Sequence, residues 1–217
     1  MTILLLYYYL LSIIVFGVIM DKFIVFEGID GSGKTTQAKL LADYLNGIYT
    51  CEPTTGEIGQ LIRKILNGKN CEKETLALLF AGDRVEHIKE IERQLKENTV
   101  ICDRYVYSSI VYQSIQGIDI DFIVNINKFA KLPDILIFLD VSIEESLKRM
   151  GDRDSKEIFE NKETLKKVNE KYAHIINNKL FEPKNGYILI NTDDKTVEEV
   201  HKEIINKLMD KNIIHNY

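Results

Sequence analysis

Residues 28–35 read Gly-Ile-Asp-Gly-Ser-Gly-Lys-Thr, directly after the apolar run Phe23 to Phe26 and ahead of a stretch in which Ala38, Leu41 and Leu45 share one helical face. A strand that ends in a glycine-rich turn and opens a helix at Lys34 aims backbone N–H groups and a positive helix end at one spot. The spacing G-x-x-x-x-G-K-[ST] suits polyphosphate, with the lysine on the terminal phosphates and the hydroxyl on a magnesium ion. The stretch therefore predicts a nucleoside triphosphate site built on Gly28, Asp30, Gly31, Ser32, Gly33, Lys34, Thr35 and Thr36. A plain glycine turn would leave Lys34 unexplained.

Outward from this loop, short apolar runs alternate with amphipathic stretches, the pattern of a parallel sheet with helices on both faces. Strands are expected near Phe23 to Glu27, Ile48 to Cys51, Thr99 to Cys102, Ile135 to Asp140 and Tyr187 to Ile190. Helices are expected near Lys34 to Leu45, Ile58 to Leu66, Lys73 to Glu97, Val106 to Gln113, Asp121 to Ala130, Ile143 to Arg149, Lys162 to Lys179 and Val197 to Leu208. Ser142 with Glu145, and Thr196 with Glu199, have capping-box spacing. The fold class is α/β, an open, doubly wound sheet of five parallel strands. In such sheets ligands gather beyond the carboxyl ends of strands, which directs attention to Asp30, Glu52, Asp103-Arg104 and Asp140.

The 217 residues, 45% of them hydrophobic, suit one domain with a lid or insert. A formal charge of −5 argues against a nucleic-acid surface, so anionic ligands must be met by local arginines. Three cysteines, Cys51, Cys71 and Cys102, lack metal-ligand spacing and are odd in number, which predicts reduced thiols in the cytoplasm. Met1 to Met20 carries no charged side chain and is long enough to cross about 30 Å of hydrocarbon. Only Asp21 and Lys22 separate it from the first strand, and Met20 is itself a suitable initiator. Residues 1–19 are thus expected to be an over-extended start ahead of a domain at 20–217, the alternative being a membrane anchor.

The segment Val100-Ile101-Cys102-Asp103-Arg104-Tyr105 places an acid and a base at a strand end. Asp103 there suits Mg²⁺, directly or through water, and Arg104 suits a phosphate gripped by two parallel N–H bonds. Phe80, Arg84 and His87 fall at i, i+4 and i+7, one face of a helix. A core seldom takes an unpaired guanidinium, so Arg84 marks this stripe as functional, with His87 on the helix surface or behind the site.

Four blocks together resemble the thymidylate kinase family across Asp21 to about Leu208. They are Phe-Glu-Gly-Ile-Asp-Gly-Ser-Gly-Lys-Thr-Thr at 26–36, Glu-Pro-Thr at 52–54 with Arg63 downstream, Phe-Ala-Gly-Asp-Arg at 80–84 with His87, and Asp-Arg-Tyr-Val-Tyr-Ser-Ser-Ile-Val-Tyr-Gln at 103–113. The resemblance implies a P-loop NTPase fold and transfer of the γ-phosphoryl of ATP to dTMP with Mg²⁺.

It also implies site roles. Lys34 meets the β and γ phosphates, Thr35 ligates the metal, and Asp30 accepts from the 3′-hydroxyl of the acceptor sugar. Glu52 lies near the metal and the acceptor phosphate, which Arg63 and Arg104 hold. Phe80 stacks on thymine, Arg84 donates to a base oxygen, Ser108, Tyr112 and Gln113 read the base, and Tyr112 selects deoxyribose by bulk. The charged Gly-containing connection from Arg149 to Asp154 resembles a lid, placed near 149–160, that closes over ATP. With Gly31-Ser32 where one branch of the family carries a loop arginine, the catalytic arginine is expected to be Arg153, with Arg149 second. A homodimer through apolar helices, with Leu76, Leu79 and neighbouring positions as candidates, follows by analogy. Remaining alternatives are a kinase of another nucleotide or a deoxynucleoside, and a membrane-tethered nucleotide switch.

Overall fold

A computed structural model describes residues 22–151 and 162–214. Five strands run through them: β1 (Phe23–Glu27), β2 (Ile48–Cys51), β3 (Val100–Asp103), β4 (Ile135–Asp140) and β5 (Tyr187–Asn191). All neighbouring pairs are parallel, in the order β2-β3-β1-β4-β5. The chain builds one side of the sheet, then crosses β1 to build the other. The carboxyl ends of β1 and β3 therefore flank the reversal of strand order, where such sheets open a crevice.

Helices fill the connections: α1 (Lys34–Tyr44), α2 (Glu57–Leu66), α3 (Lys73–Gln94), α4 (Val106–Ile115), α5 (Ile120–Ile126), α6 (Ile143–Met150), α7 (Lys162–Asn177) and α8 (Val197–Asp210). Because successive side chains of a strand point to opposite faces, β1 feeds two separate cores. Phe23 and Val25 pack with Leu136, Phe138 and residues of α4, α5 and α7, whereas Ile24 and Phe26 pack with Ile135, Ile137 and residues of α1 and α8. Each such fully buried side chain contributes about 1.5 to 3 kcal/mol, so the central strand is the most firmly held part of the platform. A third cluster, built around Ile62, Ile65 and Leu76, joins α2 to α3.

Every expected strand and helix is present, and the ends differ for local reasons. Helix α8 opens with a complete capping box, the Glu199 N–H donating to Thr196 Oγ1 at 3.2 Å and the Thr196 N–H to Glu199 Oε2 at 2.8 Å. At α6 only half the box forms. Ser142 Oγ accepts from the Glu145 N–H, but the Ser142 N–H is already taken by Asp193 Oδ1 at 2.9 Å. Helix α5 stops at Ile126, short of the expected Ala130, where Asn127 folds its Nδ2 back onto the Ile123 carbonyl at 2.8 Å. Cys102 is core, as expected, and the three cysteines are free.

Among the described residues no helix is long and apolar enough to cross a membrane. The readings of residues 1–19 and of Arg153, and most of the lid near 149–160, fall outside the described residues.

Candidate active site

The turn from β1 to α1 forms because its glycines go where a side chain cannot. Gly31, at φ 75°, lies so close to α6 that a Cβ would stand 2.6 Å from the Ser146 carbonyl oxygen. Ser146 Oγ in turn donates to the Asp30 carbonyl at 2.6 Å, tying the loop to α6. Gly33, at φ 90°, has open space where a Cβ would stand. This leaves the first-turn N–H groups of α1, which have no intrahelical partners, facing a cavity of about 640 Å³. Gly31, Ser32, Gly33, Lys34, Thr35, Thr36 and Arg149 all line it. Gly28 lies beneath instead, its α-carbon against the Leu139 carbonyl of β4.

Lys34 is buried, and its Nζ donates to the Ile29 carbonyl at 2.7 Å and lies 3.5 Å from Asp30 Oδ1. Burial, with the nearby Arg104 guanidinium, lowers its pKa. Arg149 arches over the same cavity, with Nη2 donating to the Thr192 carbonyl at 2.6 Å, Nη1 to Thr192 Oγ1 at 3.0 Å and Nε to Glu145 at 3.0 Å.

A second cavity of about 330 Å³ opens on the other side of Arg104. Arg63, Phe80, Arg84, Ser108, Tyr112 and Gln113 line it, together with Glu52 and Asp103. The structure thus brings together every residue expected to hold an acceptor. Gln113 is buried, and neither end of its amide has a hydrogen-bond partner among the described residues. A donor and an acceptor kept unsatisfied beside a cavity suit a ligand edge that offers both. The two cavities meet at Asp30, Thr35 and Arg104, which line both.

At that seam Arg104 pairs with Asp30 through Nη2, and its Nη1 donates to Ser108 Oγ at 3.2 Å. Burial alone would raise the Asp30 carboxyl, but Arg104 and Lys34 outweigh it and hold the group below its ordinary value. The Arg104 backbone sits at φ 65°, the left-handed region, which a non-glycine residue enters only where its surroundings hold it. The Tyr112 hydroxyl is raised by burial to about 12 and stays protonated at neutral pH.

Magnesium takes few protein ligands and several waters and phosphate oxygens, and the seam fits that pattern. Thr35 Oγ1 donates to Asp103 Oδ2 at 2.5 Å, while the buried Asp103 Oδ1 accepts no hydrogen bond from any described residue.

Three expectations need correction. Glu52 is not placed as a metal ligand, because Oε2 accepts from Arg84 Nη2 at 2.6 Å and Nε at 2.9 Å, and Oε1 lies 3.0 Å from His87 Nδ1. Arg84 is accordingly not an unpaired guanidinium. It is almost wholly buried and also donates to Ser109 Oγ at 2.9 Å and to Asn127 Oδ1. His87 takes the second of its two expected places, behind the site, buried between Glu52 and Thr50 Oγ1, 2.7 Å away. Lastly, Leu76 and Leu79 face α2 within the third cluster, and Leu76 also lines the acceptor cavity. The apolar residues that α3 exposes are Leu78 and Val85.

A family model described as thymidylate kinase matches residues 26–204. The chain belongs to the thymidylate kinase family. A protein of Methanococcus aeolicus named probable thymidylate kinase is 87% identical over 195 residues, covering 90% of this chain and 100% of that one. Another of that name from Methanocaldococcus jannaschii is 52% identical over 196 residues, covering 90% and 98%. The solved thymidylate kinase of Ehrlichia chaffeensis matches with a TM-score of 0.68 at 31% identity, covering 87% of this chain and 98% of that chain. The one from Candida albicans, at 24% identity, shares the fold with a TM-score of 0.74 and covers 91% and 96%.

Within this kinase several residues at the site escaped the sequence reading. Asn127 and Ser109 complete the Arg84 shell, and Thr192 holds Arg149. Their partners lie 25 to 43 positions away, so no local spacing marks them. Glu27 is different. It is a fully buried acid at the end of an otherwise apolar strand, which is a visible anomaly in the sequence. Burial raises its pKa, against the opposing pull of Arg104 and of hydrogen bonds from Ser108, Tyr172 and Tyr105.

Proposed function

We propose that the chain transfers the γ-phosphoryl group of ATP to the phosphate of dTMP, giving dTDP and ADP, in the pathway that supplies dTTP for DNA synthesis. The observation that carries this is the seam: two cavities, one floored by the phosphate loop and one lined by Phe80, Tyr112 and Gln113, meet at Asp30, Thr35 and Arg104.

The donor phosphates lie along the first-turn N–H groups of α1, where Lys34 leaves the Ile29 carbonyl to meet them. Thr35 and Asp103 would hold Mg²⁺, which would offset the charge of the phosphates. Arg104 and Arg63 neutralise the acceptor phosphate so that a second anion can approach. Asp30 receives the 3′-hydroxyl of the acceptor sugar. Phe80 stacks on the base, the Gln113 amide reads its edge, and the Tyr112 ring fills the space that a 2′-hydroxyl would need. The acceptor is a phosphate oxygen already ionised near neutral pH, so the protein need supply no base.

Arg153 is the proposed transition-state arginine. Arg153→Ala is expected to lower kcat by about 10³-fold or more with little change in the KM for dTMP; an unchanged kcat removes it from catalysis. We also propose that the kinase works in the cytoplasm, supported by its free thiols, and as a homodimer, supported by Leu78 and Val85, two turns apart on α3 with both side chains exposed. Sedimentation of the Leu78→Lys, Val85→Lys double variant tests the dimer, with a monomer expected.

A coupled assay for ADP release with dTMP, dUMP, dGMP and dCMP tests the activity. Preferred turnover of dTMP is expected; release of ADP that does not depend on an acceptor, or preference for a purine, overturns it. dUMP lacks only the methyl group of thymine, worth about 1 to 3 kcal/mol in an apolar pocket, so it should be the strongest competitor.

A further inference from the structure

Glu27 has no part in the reaction as described, yet four hydrogen bonds converge on it. Oε1 accepts from the N–H of Tyr105 at 2.8 Å and of Ser108 at 3.1 Å, and Oε2 accepts from the hydroxyls of Ser108 and Tyr172, each at 2.7 Å. Tyr105 and Ser108 open α4, where backbone N–H groups lack intrahelical partners. Tyr105, at the N-cap, offers no side-chain cap of its own. Glu27 therefore caps α4 from the neighbouring strand. A carboxylate so deeply buried is expensive to keep unless it is bonded this fully, and the sheet core has no need of it.

What distinguishes this from an ordinary cap is Arg104. Its left-handed backbone is pinned on both sides, by its own N–H donating to the Phe26 carbonyl at 3.0 Å and by Glu27 holding the next N–H, that of Tyr105. Its guanidinium Nη1 donates to Ser108 Oγ, and that hydroxyl spends its proton on Glu27. Glu27 thus fixes where the Arg104 backbone turns and also which way the hydroxyl beneath its guanidinium points.

We infer that Glu27 is a positioning residue that holds Arg104 at the seam between the two cavities, acting through the Tyr105 and Ser108 N–H groups and the Ser108 hydroxyl. Tyr172, from α7, completes the anchor. This rests on the reading of Arg104 as the residue that grips the acceptor phosphate.

Kinetics of single and double variants with dTMP and ATP test it. Glu27→Ala should lower kcat/KM for dTMP by about 10- to 100-fold, the range expected when a clamp on the substrate is misplaced, and shift the KM for ATP by no more than about twofold. Glu27→Gln should lose less, because its amide oxygen still accepts the two N–H groups while its nitrogen donates to the Ser108 hydroxyl and reorients it. In an Arg104→Ala background, either change at position 27 should alter kcat/KM for dTMP by no more than about twofold, since residues acting through one another are not additive. A general loss of fold would instead add its full effect in that background and weaken ATP equally, and either result overturns the inference. If Glu27→Ala does not fold, Glu27→Gln carries the same cycle. If Arg104→Ala itself leaves dTMP turnover intact, the reading of Arg104 fails and the inference falls with it. If Arg104→Ala lowers kcat/KM for dTMP while sparing the KM for ATP, and position 27 remains additive in what activity is left, only the inference fails.

Discussion

Thr35 Oγ1 and Asp103 Oδ2 stand 2.5 Å apart across a sequence gap of 68 residues, one opening α1 and the other closing β3. Two strand-to-helix connections that are neighbours only through the sheet are thereby joined where a cation would meet phosphate. Because the Thr35 proton is spent on Oδ2, the other Asp103 oxygen is left for water or metal.

Asp103→Asn is expected to raise the Mg²⁺ concentration for half-maximal activity by about 10- to 100-fold, the usual cost of removing a group that orients a metal shell. A Mg²⁺ titration at saturating ATP and dTMP reads it. An unchanged midpoint would place the ion elsewhere.

Glu52→Ala removes the carboxylate partner of a guanidinium held in the interior, which costs about 3 to 5 kcal/mol because the remaining charge is stranded. At about 2 to 4 °C per kcal/mol for a domain of this size, Tm should fall by about 6 to 20 °C. The Mg²⁺ midpoint of whatever protein folds should stay where it was, opposite to the behaviour expected of Asp103→Asn.

Asp30 supplies a pH dependence whose sign follows from its environment. Arg104 and Lys34 lower its folded-state pKa below the ordinary value of 3.8 despite opposing burial. The unfolded state therefore binds the proton more readily, and the stabilisation is present above that ordinary value and lost as pH falls through the folded one. Asp30→Asn lacks this contribution at every pH. The Tm gap between the native protein and Asp30→Asn should be widest near neutrality and narrow below pH 3.8; a gap that widens in acid would contradict the pairing.

Gly31→Ala forces a Cβ to within 2.6 Å of the Ser146 carbonyl oxygen at a φ of 75°. Overpacking of this kind costs about 1 to 3 kcal/mol. Since the strain falls on the loop that cradles the donor, the KM for ATP should rise together with a drop in Tm, measurable by calorimetry and initial rates.

The sheet was legible because its strands are short β-branched and aromatic runs separated by helical periodicity, a pattern that survives without knowledge of contacts. The phosphate loop was legible for a related reason: its function is carried by backbone shape, and glycine spacing encodes backbone shape directly. The acceptor cavity was legible as a set of residues but not as a wiring diagram. Glu52 illustrates why. Its position after β2 marked it for attention and the family resemblance implied a place near the metal, whereas Arg84 and His87, both from α3, absorb its two oxygens. Whether a charged side chain faces a ligand or an interior partner is decided by residues far off in the chain, and only folding pairs them. Leu76 and Leu79, offered by analogy as dimer contacts, pack against α2 instead, and nothing in the α3 sequence tells which of its apolar sides α2 will cover.

The left-handed backbone at position 104 bears on any attempt to make the protein more robust. A redesign that ranks substitutions by conformational comfort would install glycine or asparagine there, the residues that tolerate that region with least penalty. Such a change would relax the turn and discard the guanidinium in one step. Heat resistance and turnover thus pull this one codon in opposite directions, and a stabilising campaign on this scaffold should leave it fixed.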